Sequence, residues 1–198
     1  MKCSLPIIAV LLTAHAAVAE DVNVRYRLTG LFQPDRVDDL RRQAGTLTTR
    51  DGGAAARVTL VDVDYETAVV TFAYDAGSKP FQGQNPQQVR DRINGLLRNA
   101  SRGSFGVHPP GTLNPDQLRR ERLAVAGLDC KGCAYGAYRA IATIEGVERA
   151  VVSFKEGHVT AWIDPAKTDR EALATALRKA HVDVTDPETA QGTPATHR

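Results

Sequence analysis

The sequence predicts an α+β protein built from two tandem copies of one β-α-β-β-α-β unit, each with two helices on one face of a four-stranded sheet. Three observations predict it. Period-two and helical apolar patterns alternate in that order along both halves. A Pro109-Pro110-Gly111 break separates the halves. Composition is ordinary for a globular chain, with 42% hydrophobic and 24% charged residues in 198.

In the C-terminal half, Arg122 to Ala126 reads as a first strand and residues 134 to 144 as a helix with Tyr138, Ile141 and Ile144 on one face. Gly146 suits the left-handed cap that ends it. Strands follow at Ala150 to Phe154 and His158 to Ile163, with a tight turn at Lys155-Glu156-Gly157. Thr168-Asp169-Arg170-Glu171 has the capping-box pattern, opening a helix to Ala180 with Leu173, Leu177 and Ala180 inward. Val182 to Thr185 closes the unit.

The N-terminal half repeats this order. Val22, Val24, Tyr26 and Leu28 alternate as a strand, and Pro34 fits the first turn of a helix carrying Val37, Leu40 and Ala44. A flexible loop is expected over residues 45–55. Strands follow near Val58 to Val63 and Ala68 to Tyr74, then a helix from Gln87 to Asn99 and a closing strand at Ser104 to Val107. The predicted domains are 20–108 and 120–186, with a linker at 109–119 and a disordered polar tail at 187–198.

Lys2, the apolar Leu5 to Leu12 stretch and Ala17-Val18-Ala19 form a secretory signal peptide over residues 1–19. Its apolar stretch is shorter than the roughly 20 residues that cross a bilayer, and no other segment is long and apolar enough. Cleavage removes Cys3 and His15 and, by removing Lys2, lowers the net charge from +2 to +1. Such a balance supplies no electrostatic reason to expect nucleic acid or an anionic membrane as partner. The expected location is periplasmic or secreted.

Export leaves two cysteines, Cys130 and Cys133, at the junction of a strand and a helix. A bridge across two intervening residues closes a tiny loop, and the entropic gain from a cross-link shrinks with loop length. The pair is therefore read as functional rather than as a structural staple. A helix N-terminus, helped by Lys131, favours thiolates there, which can grip a soft metal ion or cycle through a disulfide.

Gly127-Leu128-Asp129-Cys130-Lys131-Gly132-Cys133 resembles the Gly-Met-x-Cys-x-x-Cys motif of the heavy-metal-associated domain family, the module of copper chaperones, metal-transporting P-type ATPase N-termini and periplasmic mercury-binding proteins. Gly146-Val147 before an apolar strand fits as well, so residues 120–185 look like one such domain. The resemblance implies a ferredoxin-like fold in which Cys130 and Cys133 clamp one soft ion per chain: Cu(I) first, with Hg(II), Zn(II) or Cd(II) as alternatives. It also implies handover to a metal-transporting ATPase or another acceptor protein. Leu128 stands where the family has Met, and His181-Val182 where it usually has Gly followed by Tyr, Phe or Lys. His181 is a candidate third ligand and Asp129 a candidate carboxylate donor, each against a bland reading as a solvated loop residue.

Superposing the halves puts Gly30-Leu31 on Gly127-Leu128, Gln33 on Cys130 and Arg36 on Cys133. Neither replaces a soft thiolate, so the first domain resembles a degenerate copy whose expected role is structural or docking. Two other readings stand beside metal binding. One is a thiol–disulfide oxidoreductase attacking through Cys130. The other is a protein-interaction module with vestigial cysteines. No Ser-His-Asp, paired-carboxylate or phosphate-loop constellation suggests other catalysis, so the expectation is a binding protein rather than an enzyme.

Overall fold

A computed structural model describes residues 21–185 apart from Thr46, Thr112 and Asp129. The expected signal peptide and tail lie outside these residues. Two antiparallel sheets follow each other along the chain, each with its own core. The α+β class and the tandem ferredoxin-like arrangement hold.

The first domain contains β1 (Asp21–Thr29), α1 (Arg36–Ala44), β2 (Thr48–Asp51), β3 (Ala54–Asp64), β4 (Val69–Asp75), α2 (Pro86–Ala100) and β5 (Gly106–His108). Its sheet order is β2-β3-β4-β1-β5. Tyr26 and Leu28 of β1 and Val70, Phe72 and Tyr74 of β4 alternate inward, as period two requires. Leu40 and Ala44 of α1 and Val89, Ile93 and Leu97 of α2 cover that face. Each fully buried side chain of this size stabilises the fold by roughly 1.5–3 kcal/mol. Asn85 caps α2 reciprocally with Gln88, both bonds being 2.9 Å, and Pro86 occupies the first turn.

The expected loop over 45–55 is instead a hairpin, because β2 pairs antiparallel with the start of β3. Gly52 and Gly53, at φ 53° and 87°, supply the left-handed pair that a two-residue hairpin turn requires. Only Thr49 of β2 is buried, so the polar strand carries no apolar alternation that could reveal it.

The second domain contains β6 (Arg119–Ala126), α3 (Lys131–Ala142), β7 (Val147–Ser153), β8 (His158–Ile163), α4 (Arg170–Lys179) and β9 (Asp183–Thr185), with sheet order β7-β8-β6-β9. Leu123, Ile141, Val159, Ile163, Leu173 and Leu177 lie at the centre of its core. Four details depart from the sequence reading. Arg119 opens β6 rather than closing a linker, its charged run stabilised by Glu121 at 2.7 Å and by the Trp162 ring under Arg120. The cap of α4 is Asp169, whose carboxylate accepts the Ala172 N–H at 2.9 Å, while Thr168 is buried. Ala174, not Ala180, completes the inward stripe of α4. Finally, α3 starts at Lys131, so Cys133 lies in its first turn.

The domains dock through the loop after β1. Phe32 of that loop is buried in the second domain's core, and its carbonyl accepts the Val152 N–H of edge strand β7 at 3.0 Å. The Gly30 N–H donates to the Tyr138 hydroxyl at 2.6 Å. Arg27 forms an ion pair with Glu148 and donates to the carbonyls of Val147 and Glu148 at 3.4 and 3.3 Å. An otherwise open strand edge is thereby covered by the first domain.

Candidate metal centre

The loop between β6 and α3 is shaped by its ends. Gly127 takes φ +78°, a conformation natural to glycine, and Leu128 is buried in the core beneath. Leu128 thus anchors the loop by burial alone. Cys130 follows in extended geometry as the N-cap of α3. Its Sγ accepts the backbone N–H of Cys133 at 3.0 Å, and its carbonyl accepts the Ala134 N–H at 3.0 Å.

A sulfur in the capping position receives one of the orphan donors of the helix and faces the positive end of its dipole. Cys130 is exposed and Cys133 half-exposed. Their Cα atoms stand 5.1 Å apart and their Sγ atoms are joined as a disulfide. Lys131 between them is not free: its Nζ lies 3.3 Å from the Asp35 carboxylate of the first domain. Both groups are exposed, so the pair adds little stability while placing an opposite charge beside the cation.

Asp129 lies outside the described residues. His181 occupies the turn after α4 with φ +59°, its N–H bonded to the Arg178 carbonyl at 3.0 Å. Among the described residues no group of three or more His, Cys, Asp and Glu is placed to hold a metal ion. Among the described residues the donors at this loop are the two sulfurs.

The sequence reading missed the neighbours supplied by the first domain. Phe32 stacks on Tyr138 at 5.2 Å and lies 5.6 Å from Tyr135, both on the helix that begins at the cysteines. Burial pushes the Tyr138 phenol pKa up, with the Gly30 N–H acting in the opposite direction, so this hydroxyl is a neutral acceptor. Phe32 matches Asp129 in the superposition, and a large aromatic residue at a loop position was the available signal.

The equivalent loop of the first domain has become a fastener. Arg36, at the position of Cys133, donates from Nε to the Gly30 carbonyl at 3.3 Å and from Nη2 to Ser104 Oγ at 3.1 Å. Its guanidinium also pairs with Asp39 at 2.5 Å and lies 4.3 Å from the Phe105 ring centroid. Gln33, at the position of Cys130, is buried.

Residues 122–182 match the model of the heavy-metal-associated domain. No curated protein matches the chain. Among solved structures, the CopZ metallochaperone is 28% identical over 34% of this chain and 100% of its own, with a TM-score of 0.33. Oxidized MerP from Ralstonia metallidurans CH34 is also 28% identical, over 35% of this chain and 99% of its own, with a TM-score of 0.32. The water-soluble region of the P-type ATPase CopA from Bacillus subtilis is 16% identical over 90% of this chain and 99% of its own, at a TM-score of 0.33. The family match identifies residues 122–182, which carry the cysteine loop, most of β6, and all of α3, β7, β8 and α4, as a heavy-metal-associated domain.

Proposed function

We propose that this chain is an exported protein that binds and hands over one soft metal ion, held by the thiolates of Cys130 and Cys133. The observation that carries the reading is a sulfur pair, one exposed and one half-exposed, at the N-terminus of α3, within a domain that matches the heavy-metal-associated family. Two thiolates suit Cu(I), Hg(II), Zn(II) or Cd(II), and availability in the compartment, rather than affinity alone, selects among them. Two sulfurs leave coordination positions open, so a thiolate of an acceptor can attack the bound ion. That suits transfer to a metal-transporting ATPase or another acceptor better than storage. The signal-like residues 1–19 support export.

Binding requires the reduced pair, because a disulfide sulfur has no charge to give to the ion. Full-length protein, reduced and dialysed anaerobically against each ion, should retain one ion per chain by elemental analysis. Cys130→Ser and Cys133→Ser should each abolish tight retention. A reduced wild-type protein that retains none of the four ions, or a Cys130→Ser variant with unchanged stoichiometry, overturns the proposal.

The disulfide supports a second reading, a thiol–disulfide oxidoreductase in which Cys130 attacks a substrate disulfide. Sustained insulin reduction in the presence of a thiol reductant would favour it over metal transfer.

A further inference from the structure

The geometry points to a second ligand site, between the domains and separate from the cysteines, that takes a small carboxylate with an apolar body. Its centre is Arg149 on β7, only 9% exposed. The guanidinium lies between two aromatic rings, 4.7 Å from the Tyr65 centroid of the first domain and 5.4 Å from that of Trp162 in the second. Its Nε and Nη1 have no hydrogen-bond partner among the described residues. Stacking on rings satisfies the faces of a guanidinium, and the Tyr65 hydroxyl is bonded to it, but Nε and Nη1 stay unanswered, and a buried donor without an acceptor is costly.

Arg149 lines an interdomain cleft of about 350 Å³, a size suited to a small organic molecule. Trp162, Val69, Leu113 and Leu118 give that cleft an apolar wall. Burial, the foremost cause, lowers the Arg149 pKa, in agreement with a desolvated position.

The neighbouring charges choose the ligand's class. Arg27 in the cleft is already paired with Glu148, and Asp64 accepts the N–H groups of Glu66 and Thr67 at 2.9 and 3.3 Å and the Thr67 hydroxyl at 2.6 Å. Glu66 and Arg25 remain at the cleft as exposed charges of opposite sign, neither in an ion pair among the described residues. With those two charges offsetting one another, a monocarboxylate matches the single charge of Arg149, which a phosphate dianion would exceed. The planar N–H fork matches carboxylate geometry, and the apolar body lies against Trp162.

Trp162 is the chain's one tryptophan, so its fluorescence reads this cleft directly. Metal-free full-length protein is titrated with 4-methylpentanoate and with the uncharged 4-methylpentanamide. The acid should give a saturable spectral change and the amide should bind about tenfold more weakly or not at all. Glu66→Gln should bind the acid more tightly, and Arg149→Lys, which keeps the charge but loses the fork, about tenfold more weakly. No saturable change, equal binding of acid and amide, or unaltered binding by folded Arg149→Lys overturns the site. If Arg149→Lys does not fold, the acid–amide contrast and Glu66→Gln decide.

Discussion

The Tyr138 hydroxyl accepts the Gly30 N–H at 2.6 Å in the buried seam between the domains, tying the helix that carries the cysteines to the loop that replaces them. Tyr138→Phe would leave that N–H buried without an acceptor. We expect a loss of about 1–3 kcal/mol in stability, read from the urea midpoint at unchanged slope.

Phe32→Ala should be more severe, because its ring is almost fully buried in the opposite domain. A Phe→Ala truncation in a core costs roughly 3–5 kcal/mol. Small-angle scattering would register separation of the domains as a larger radius of gyration. An unchanged radius together with unchanged stability would contradict the docking role.

Gly30 and Gly127 hold equivalent positions and both have positive φ, yet their surroundings differ. A Cβ on Gly30 would lie 2.2 Å from the Ser104 carbonyl oxygen and 2.6 Å from the Phe105 ring, whereas one on Gly127 meets nothing within 4 Å. Gly127→Ala should therefore cost only the left-handed strain, about 1–2 kcal/mol. Gly30→Ala should cost clearly more, because backbone must shift as well. Thermal melts of the two variants side by side would check the order.

His108 provides a pH dependence at the same seam. Burial, followed by the nearby Arg27, Arg90 and Arg98, holds its pKa below the ordinary value. A base with a depressed folded pKa binds fewer protons when folded, so its contribution is present above pH of about 6.5 and is lost as pH falls through the folded value. Between pH 7.5 and 5 the melting temperature should fall slightly, and His108→Asn should flatten that part of the profile. The change should be small, because solvent reaches the ring.

The parts of this architecture that repeat locally were legible in the sequence. Alternation in β1, β4 and β8 and the helical stripes of α2 and α4 announced themselves, as did the cysteine loop. What the sequence concealed depends on distant partners. The start of β7 was hidden by a register shift between Val147 and Arg149, which breaks alternation and buries an arginine. Nothing in the local pattern around Phe32 names a core on the far side of the linker as its destination. Asp35 gave no sign of its lysine, 96 residues along the chain, because exposed charge pairing is a property of the assembled surface.

The unequal fates of the two loops carry a consequence for damage. With an arginine sewing one copy shut and sulfurs leaving the other open, neither half can stand in for its twin. A lesion in the earlier copy should surface as lost shape, and one in the later copy as lost sulfur chemistry on an intact body.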